Sequence, residues 1–199
     1  MNPAPLISPL TLLFASIFTS NILLANFLGM CSFISISKDA DSSNGLGIAV
    51  TVVLVITGAI NWLVLTYILI PFNLLYLETV VFIIVIAAVV QVLEMIIDRV
   101  SPALYLALGI FLPLITVNCS VLGVALFLRI RNYDFIQSVV FSLGSGLGWW
   151  LAIVALAAIR KRVDNNPVPA GLKGPGITLI TIGFMAMAFM GFSGMLNVQ

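Results

Sequence analysis

Two cysteines and one carboxylate are the residues of this chain whose type and surroundings could support chemistry. Cys31 and Cys119 are the only thiols, and Glu94 lies inside a long hydrophobic run. The chain has no histidine, which excludes His-ligated haem, His-rich zinc sites and Ser-His-Asp catalysis. Two thiols alone cannot complete a tetrahedral structural zinc site. The chemistry to be explained is therefore that of two thiols and one acid in apolar surroundings.

The residues alone leave three roles open for the cysteines. They could pack as small unreactive hydrophobic side chains, as free cysteines commonly do, or they could form a disulfide. They could also bind a two-iron cluster, but such a cluster takes four thiolates. Because this chain supplies two thiols, a cluster would require two more from a partner chain.

Composition places these residues in a membrane. The 199 residues are 62% hydrophobic and 8% charged, and the mean hydropathy is +1.24. Soluble domains carry about 25% charged residues, so a soluble globular protein is excluded. The net charge of +1 also excludes the basic patch that marks nucleic-acid binding.

Six apolar windows are long enough for membrane helices, which need about 20 residues each. We predict spans near Leu6–Ser37, Leu46–Ile70, Glu78–Ile97, Ala103–Leu128, Phe135–Ile159 and Gly176–Leu196. The expected fold is a single all-α integral membrane domain over residues 1–199. No Lys or Arg precedes Lys38, so the first segment lacks the basic region of a secretory signal and is interpreted as a retained span.

Basic residues are distributed unevenly between the two sides of the predicted helix bundle. One side carries six of them: Lys38, Arg99, Arg160, Lys161, Arg162 and Lys173. The other side carries Arg129 and Arg131. Because positively charged loops stay in the cytoplasm, both termini are expected on the non-cytoplasmic side. The basic triplet after the fifth span is expected to be a cytoplasmic anchor, and Trp62, Trp149 and Trp150 are expected at the membrane interfaces.

The first and fourth predicted spans should both be interrupted. The first would run about 48 Å as a straight helix, well beyond a hydrocarbon core of about 30 Å. Polar residues or helix breakers precede the cysteine in each: Asn21, Asn26 and Gly29 in the first span, and Gly109, Pro113, Thr116 and Asn118 in the fourth. Non-helical backbone at this depth is tolerated only inside protein or facing a cavity. We therefore expect each cysteine to lie beside a break in a helix.

The interrupted spans occupy matching places in two halves of the chain, about residues 6–98 and 103–196. A serine follows each cysteine, and the next span of each half carries Gly-Leu-Gly, at 45–47 and at 146–148. Halves of three spans insert with opposite orientation, so a pseudo-two-fold axis in the membrane plane would relate them. Equivalent cysteines could then approach each other near the midplane.

Glu94 has two possible roles. Carboxylates inside a membrane commonly handle cations or protons. Alternatively, Glu94 lies near the cytoplasmic end of its span, one turn from Asp98, and its side chain reaches the surface.

Six motifs carry a family resemblance. They are FLGMC at 27–31, GLGIAV at 45–50, QVLEMIIDR at 91–99, LGIFLPLITVNC at 108–119, GSGLGW at 144–149 and FMGFSG at 189–194. They resemble the membrane subunits shared by the sodium-pumping NADH:quinone oxidoreductase and the Rnf complex, the NqrDE/RnfAE family. The likeness runs from about Leu13 to Met195, and the long cysteine motif is the most specific part.

Within that family the chain is most similar to the NqrE branch of the sodium-pumping enzyme. The motifs FLGMC and GSGLGW, with VPAGL at 168–172, favour that branch. The A-type subunit of the Rnf ferredoxin:NAD oxidoreductase, RnfA, shares most of the long cysteine motif and is the alternative. A different class of function, a redox-inert membrane transporter or scaffold, also remains open.

The resemblance implies a fold, a partner and a cofactor. The fold would be six helices in inverted triplets, paired with the homologous NqrD subunit of opposite topology. Cys31 and Cys119 would supply two ligands of an intramembrane [2Fe-2S] cluster, with two further cysteines from NqrD. The cluster would relay electrons toward flavins and quinone, coupled to sodium export. FAD, FMN, riboflavin and NADH would bind elsewhere in a complex with the NqrA, NqrB, NqrC and NqrF subunits, so no catalytic residue is expected here.

The resemblance also implies a location in the bacterial cytoplasmic (inner) membrane, in contact with lipid. Five residues are expected to surround the cluster: Gly29, Asn26, Asn118, Ser32 and Ser120. Acidic residues at the place of Glu94 are associated with cation uptake in this family, so Glu94 is a candidate for the sodium pathway.

Overall fold

The computed structural model describes residues 8–37, 40–100, 115–166, 171 and 174–191. Seven α-helices lie in these residues: α1 Pro9–Phe14, α2 Met30–Ile36, α3 Ala40–Val64, α4 Glu78–Val100, α5 Cys119–Ile130, α6 Phe135–Asp164 and α7 Pro175–Met190. The π-helical turns Ala15–Thr19 and Leu65–Leu69 extend α1 and α3, and the 3-10 turn Leu75–Leu77 leads into α4. The described residues contain no strand, so the prediction of an all-α protein is confirmed.

Among the residues that the structure describes, three helices are long and apolar enough to cross a membrane. They are Ser42–Leu69, Leu75–Ile96 and Phe135–Val163, and they coincide with the second, third and fifth predicted spans. Three shorter apolar helices, Pro9–Thr19, Cys119–Ile130 and Pro175–Met190, fall within the first, fourth and sixth predicted spans. The prediction of a membrane protein therefore agrees with the lengths and composition of these helices.

The first predicted span is broken in its middle. Its opening helical turns end at Thr19, and α2 begins only at Met30. Asn21 stabilises the segment between them: its Oδ1 accepts hydrogen bonds from the backbone N–H groups of residues 23 and 24 at 3.1 and 3.3 Å. Its Nδ2 donates to the carbonyl of Gly148 on α6 at 2.9 Å. A buried amide thus replaces helical hydrogen bonds that the break removes, as non-helical backbone at membrane depth requires.

The fourth predicted span is broken just before its cysteine. Residues 115 and 116 are helical, whereas Asn118 is extended, with φ −72° and ψ 116°. The side chain of Asn118 caps α5, because its Oδ1 accepts a hydrogen bond from the backbone N–H of Ser120 at 3.0 Å. The predicted breakers Gly109 and Pro113 lie outside the described residues. Within the described residues, the break falls at Asn118, whose side-chain amide caps α5.

The centre of the protein is an antiparallel pair of helices, α3 and α6. Gly47 near the start of α3 lies against the indole of Trp150, and further along α3 Thr51 lies against Gly146. A Cβ on Gly146 would lie 2.9 Å from the Cα of Thr51, so glycine is required for this approach. The large, fully buried side chains of the pair include Leu46, Leu54, Trp149, Ile153 and Leu156.

One of the three tryptophans expected at the membrane interfaces lies in the core instead. Trp149 is 0% exposed, so the prediction was wrong for this residue. Gly29 on the facing segment leaves room for its ring, because a Cβ on this residue would lie 3.0 Å from Nε1 of Trp149. Composition marks tryptophan as an interfacial residue but does not show where a facing glycine makes space for it.

Candidate metal centre

Both cysteines lie in the first turn of a helix. Cys31 is the second residue of α2, whose N-cap is Gly29, and Cys119 is the first residue of α5, whose N-cap is Asn118. Both are free thiols with exposed side chains. Of the roles that the sequence left open, the structure therefore shows neither a disulfide nor buried packing.

Hydrogen bonds join the starts of these two helices. Oγ of Ser120 donates to the carbonyl of Leu28 at 2.7 Å. Nδ2 of Asn118 donates to Oγ of Ser32 at 3.4 Å, across 86 positions of the sequence, and Oγ of Ser32 donates to the carbonyl of Gly29 at 3.1 Å. The residues next to one cysteine thus contact the residues next to the other, and the two helix breaks form one joint.

Gly29 permits the close approach at this joint. Its φ of +86° lies in the left-handed region, which glycine adopts without the steric cost that a Cβ would add. A Cβ here would collide with the hydroxyl of Ser120 and would lie 2.8 Å from Oδ1 of Asn118. The glycine that precedes the first cysteine is therefore needed both for its backbone conformation and for the space it leaves.

The helix starts favour negative charge at the thiols. The first backbone N–H groups of a helix have no acceptor within it, and the N-terminus carries a partial positive charge. Both cysteines lie in first turns, so both are near such groups. In a low-dielectric membrane this stabilisation is larger than it would be in water. The arrangement suits two thiolates, or an anionic group bound to them.

An apolar pocket of about 250 Å³ adjoins the second cysteine. Its lining consists of Cys119 and six apolar neighbours: Leu28, Leu122, Gly123, Leu126, Phe127 and Ile130. The side chain of Ile130 is 70% exposed, so the pocket lies at an outer face of the chain. The thiol of Cys119 is therefore accessible beside a surface suited to contact with another apolar chain.

The donor set is half of what a two-iron cluster takes. In the part of the chain that the structure describes, no group of three or more His, Cys, Asp or Glu residues could hold a metal ion. A [2Fe-2S] cluster takes four thiolates, or two thiolates and two histidines. The two free thiols on the joined helix starts are half of the four thiolates, so such a cluster would need two more from a second chain.

Of the five residues predicted to surround a cluster, four lie at the joint beside the cysteines: Gly29, Ser32, Asn118 and Ser120. Asn26 is placed elsewhere, because its exposed side chain lines a separate pocket together with Arg131. Trp149, which sequence reasoning assigned to an interface, borders the joint through Gly29.

Arg160 was also assigned wrongly from the sequence. It is buried rather than a surface anchor, with 9% of its area exposed. Its Nη1 donates to the carbonyl of Ile34 at 3.1 Å and to Oγ of Ser37 at 2.9 Å. Both acceptors lie at the C-terminal end of α2, where carbonyl groups lack helical partners and a positive charge is stabilising. The neighbouring Lys161 and Arg162 are exposed.

Glu94 lies far along α4 in a half-buried position. It is two residues before the end of the apolar stretch Leu75–Ile96. Among the described residues the one ion pair joins Arg129 to Glu78, at 3.3 Å, so Glu94 has no basic partner there. Both of its possible roles, a cation ligand and a surface-reaching side chain, are compatible with this place.

The fold and the site define a class: a helical membrane protein with two free cysteines at the starts of two joined helices. Residues 10–196 match the family described as Rnf-Nqr subunit, membrane protein. The E subunit of the Na(+)-translocating NADH-quinone reductase of Chlamydia trachomatis serovar L2 is 53% identical over 189 residues, covering 89% of this chain and 78% of the relative.

The corresponding E subunit of Chlamydia muridarum is 50% identical over 201 residues, covering 95% of this chain and 82% of the relative. That of Chlamydia caviae is 50% identical over 189 residues, covering 89% and 72%. The chain belongs to the Rnf-Nqr family of membrane subunits, and the resemblance to the NqrE branch is confirmed.

Proposed function

We propose that this chain is the E subunit of a sodium-translocating NADH:quinone reductase. We further propose that it holds one half of an intramembrane [2Fe-2S] cluster through Cys31 and Cys119. The single observation that carries the cluster is the joint, where two free, exposed thiols lie in the first turns of two hydrogen-bonded helix starts. The names of the relatives support the choice of enzyme, and the donor count supports a shared site.

The chain's own residues would position and stabilise the cofactor. When bound, the cluster would supply one-electron transfer. The two N-termini would offset the negative charge of the thiolates, whose burial without compensation is costly. The bonds from Ser120 to Leu28 and from Asn118 to Ser32 would fix the two cysteines relative to each other. The second pair of thiolates would come from the homologous NqrD subunit, seated against the apolar pocket beside Cys119.

The proposed architecture is six spans in two inverted halves. The break before each cysteine supports it. The antiparallel packing of α3 and α6, the second helix of each half, also supports it. The first half would comprise about residues 6–98 and the second about residues 103–196, which include residues outside the described ranges. Both termini would face away from the cytoplasm, in a bacterial cytoplasmic membrane.

The rest of the electron pathway would belong to other chains. The NqrA, NqrB, NqrC and NqrF subunits would complete the complex, and FAD, FMN, riboflavin and NADH would bind there. Sodium would be the translocated ion, with Glu94 as a candidate on its route. The alternative of RnfA is less well supported, because the relatives described above are E subunits of the sodium-translocating enzyme. A redox-inert role is disfavoured because neither thiol is buried.

Substitution of the cysteines tests the proposal. The complex with its other subunits is purified, and iron content and the visible absorption of the [2Fe-2S] centre are measured for Cys31→Ala and Cys119→Ala. Each variant should lose the iron and the absorption assigned to this centre, together with quinone reduction. Ser35→Ala, at an exposed position of the same helix as Cys31, is the matched control and should retain all three. Full iron and activity in both cysteine variants would exclude the cluster.

A further inference from the structure

A second pocket, of about 150 Å³, lies between the broken segment of the first predicted span, here residues 19–26, and the facing parts of α5 and α6. Residues 19–26 contribute polar and apolar side chains to its lining, α5 and α6 contribute one aromatic ring each, and Arg131 follows the last residue of α5. The polar and aromatic lining residues are Thr19, Ser20, Asn26, Phe127, Phe141 and Arg131. It is distinct from the apolar pocket beside Cys119, although Phe127 borders both. The pocket combines a positive charge with neutral hydrogen-bonding groups.

Arg131 brings a positive charge that no carboxylate among the described residues neutralises. Its guanidinium lies over the rings of Phe127 and Phe141, 5.8 and 5.7 Å from their centroids. Its Nη1 donates to the hydroxyl of Tyr133 at 3.0 Å. The one ion pair in that part of the chain involves a different arginine. Since a guanidinium carries five N–H donors, several remain available, and the two rings and the hydroxyl hold the group in a defined position.

The broken segment supplies further donors. Thr19 and Ser20 contribute hydroxyl groups and Asn26 an amide, and none of these side chains bonds to another described residue. The nearest acidic residue along the chain, Asp134, does not line the pocket and takes part in the capping box at the start of α6. The lining thus offers N–H and O–H donors and a fixed cation without a carboxylate to repel an anion.

We propose that this pocket binds the phosphate group of an anionic phospholipid. Arginine with neutral donors is the arrangement that recognises phosphate oxygens. A water molecule takes up about 30 Å³ of liquid, so a pocket of about 150 Å³ has room for the five heavy atoms of a phosphate. Its lining includes Arg131, the residue after the end of α5, and Phe141 in the second turn of α6. Ends of membrane helices lie near the lipid headgroups, where basic pockets between helices bind them.

Lipid retention by the purified complex tests this site. The complex is stripped of lipid in detergent and incubated with phosphatidylglycerol, and the bound lipid is counted by native mass spectrometry. Arg131→Gln should retain this lipid about tenfold less well than the unsubstituted chain, because it loses charge-assisted hydrogen bonds. Thr19→Val, which keeps the charge, should reduce retention about threefold, because it loses one neutral hydrogen bond. Inorganic phosphate added to the lipid-loaded complex should compete.

The matched control is Arg129→Gln. It removes the same charge two residues away, outside the pocket, and should retain the lipid. Equal retention by the unsubstituted chain, Arg131→Gln and Thr19→Val would overturn the proposal. Binding of inorganic phosphate without binding of the lipid would also overturn it, since the pocket would then serve a free anion. If Arg131→Gln does not assemble, lipid retention is compared for Arg131→Lys and Thr19→Val, and both should retain less lipid than the unsubstituted chain. The readout is lipid rather than iron or activity, so the outcome is independent of the cluster.

Discussion

The thiols of Cys31 and Cys119 depend on neighbours that are not ligands. Gly29 adopts a left-handed φ and leaves space, while Asn118 caps one helix and contacts the other. These are polar or small residues at membrane depth, where unsatisfied groups are costly. Their cost is offset because each hydrogen-bonds across the joint or within its own cap. The hydrogen bonds that position the two cysteines therefore involve neighbouring residues. Substitution of either cysteine would leave these hydrogen bonds in place.

The carboxylate of Glu94 can be tested independently of the cysteines. Its carboxylate is half-buried near the end of an apolar stretch, and removing a cation ligand weakens cation binding without affecting a distant thiol pair. Glu94→Ala should raise the sodium concentration needed for half-maximal quinone reduction several-fold and leave iron content unchanged.

Gln91→Ala is the matched control for this prediction. It alters an exposed residue of the same helix, one turn earlier, and should leave the sodium requirement as it is. Sodium dependence in Glu94→Ala equal to that of the unsubstituted complex would assign Glu94 a surface-reaching role.

At the scale of elements, α6 supports the helix that carries the first cysteine. Arg160 near the end of α6 donates to Ile34 and Ser37 at the end of α2, across 126 and 123 positions of sequence. Asn21, which precedes α2 in the sequence, also contacts α6, because its Nδ2 donates a hydrogen bond to the carbonyl of Gly148. The short helix α2 has few residues of its own to stabilise it, so these contacts with α6 fix its position.

Arg160→Gln should destabilise the assembled complex. Hydrogen bonds to charged groups contribute about 1.5–3 kcal/mol each, and the substitution would leave two buried acceptors at the end of α2 with a weaker donor or none. The thermal midpoint for loss of the iron absorption should fall by several degrees. Arg162→Gln, which removes the same charge at an exposed position of the same helix, should not change it. An unchanged midpoint for Arg160→Gln would show that α2 is positioned by packing alone.

The sequence predicted these elements unevenly, for physical reasons. Length and polar residues in the first span were sufficient to predict its break, because a straight helix of that length does not fit the membrane. The roles of Arg160 and Trp149 were not predictable, since each depends on a partner far along the chain. The pocket around Arg131 was missed for the same reason: its other donors, Thr19, Ser20 and Asn26, lie more than 100 positions earlier in the sequence.

At the scale of the whole molecule, the chain presents apolar surface that a membrane or a partner must cover. Most of α4 faces outward, and its exposed side chains include Val80, Ile83, Ile84, Val92 and Met95. The apolar pocket beside Cys119 lies at another outer face. If Cys31 and Cys119 bind the proposed cluster, a second chain must supply the other two thiolates, and the apolar pocket beside Cys119 would adjoin that chain.

The distribution of lysine and arginine residues predicts the orientation of the chain in the membrane. In the predicted six-span arrangement, six basic residues fall in the loops after the first, third and fifth spans, and two fall on the other side. Because the number of basic residues in short loops sets the orientation, this bias predicts that both termini lie outside the cytoplasm. Alkaline phosphatase, which is active only outside the cytoplasm, should therefore be active when fused after Gln199 and inactive when fused after Asn166. A fluorescent protein that matures only in the cytoplasm should give the reverse pattern at the same two positions. The same phosphatase at the C-terminus of the proposed partner, NqrD, should be inactive, because opposite topologies would bring the two proposed half-sites to the same depth in the membrane. Phosphatase activity at 166 and none at 199 would invert the assignment, and with it the side on which the pocket around Arg131 meets the lipid headgroups.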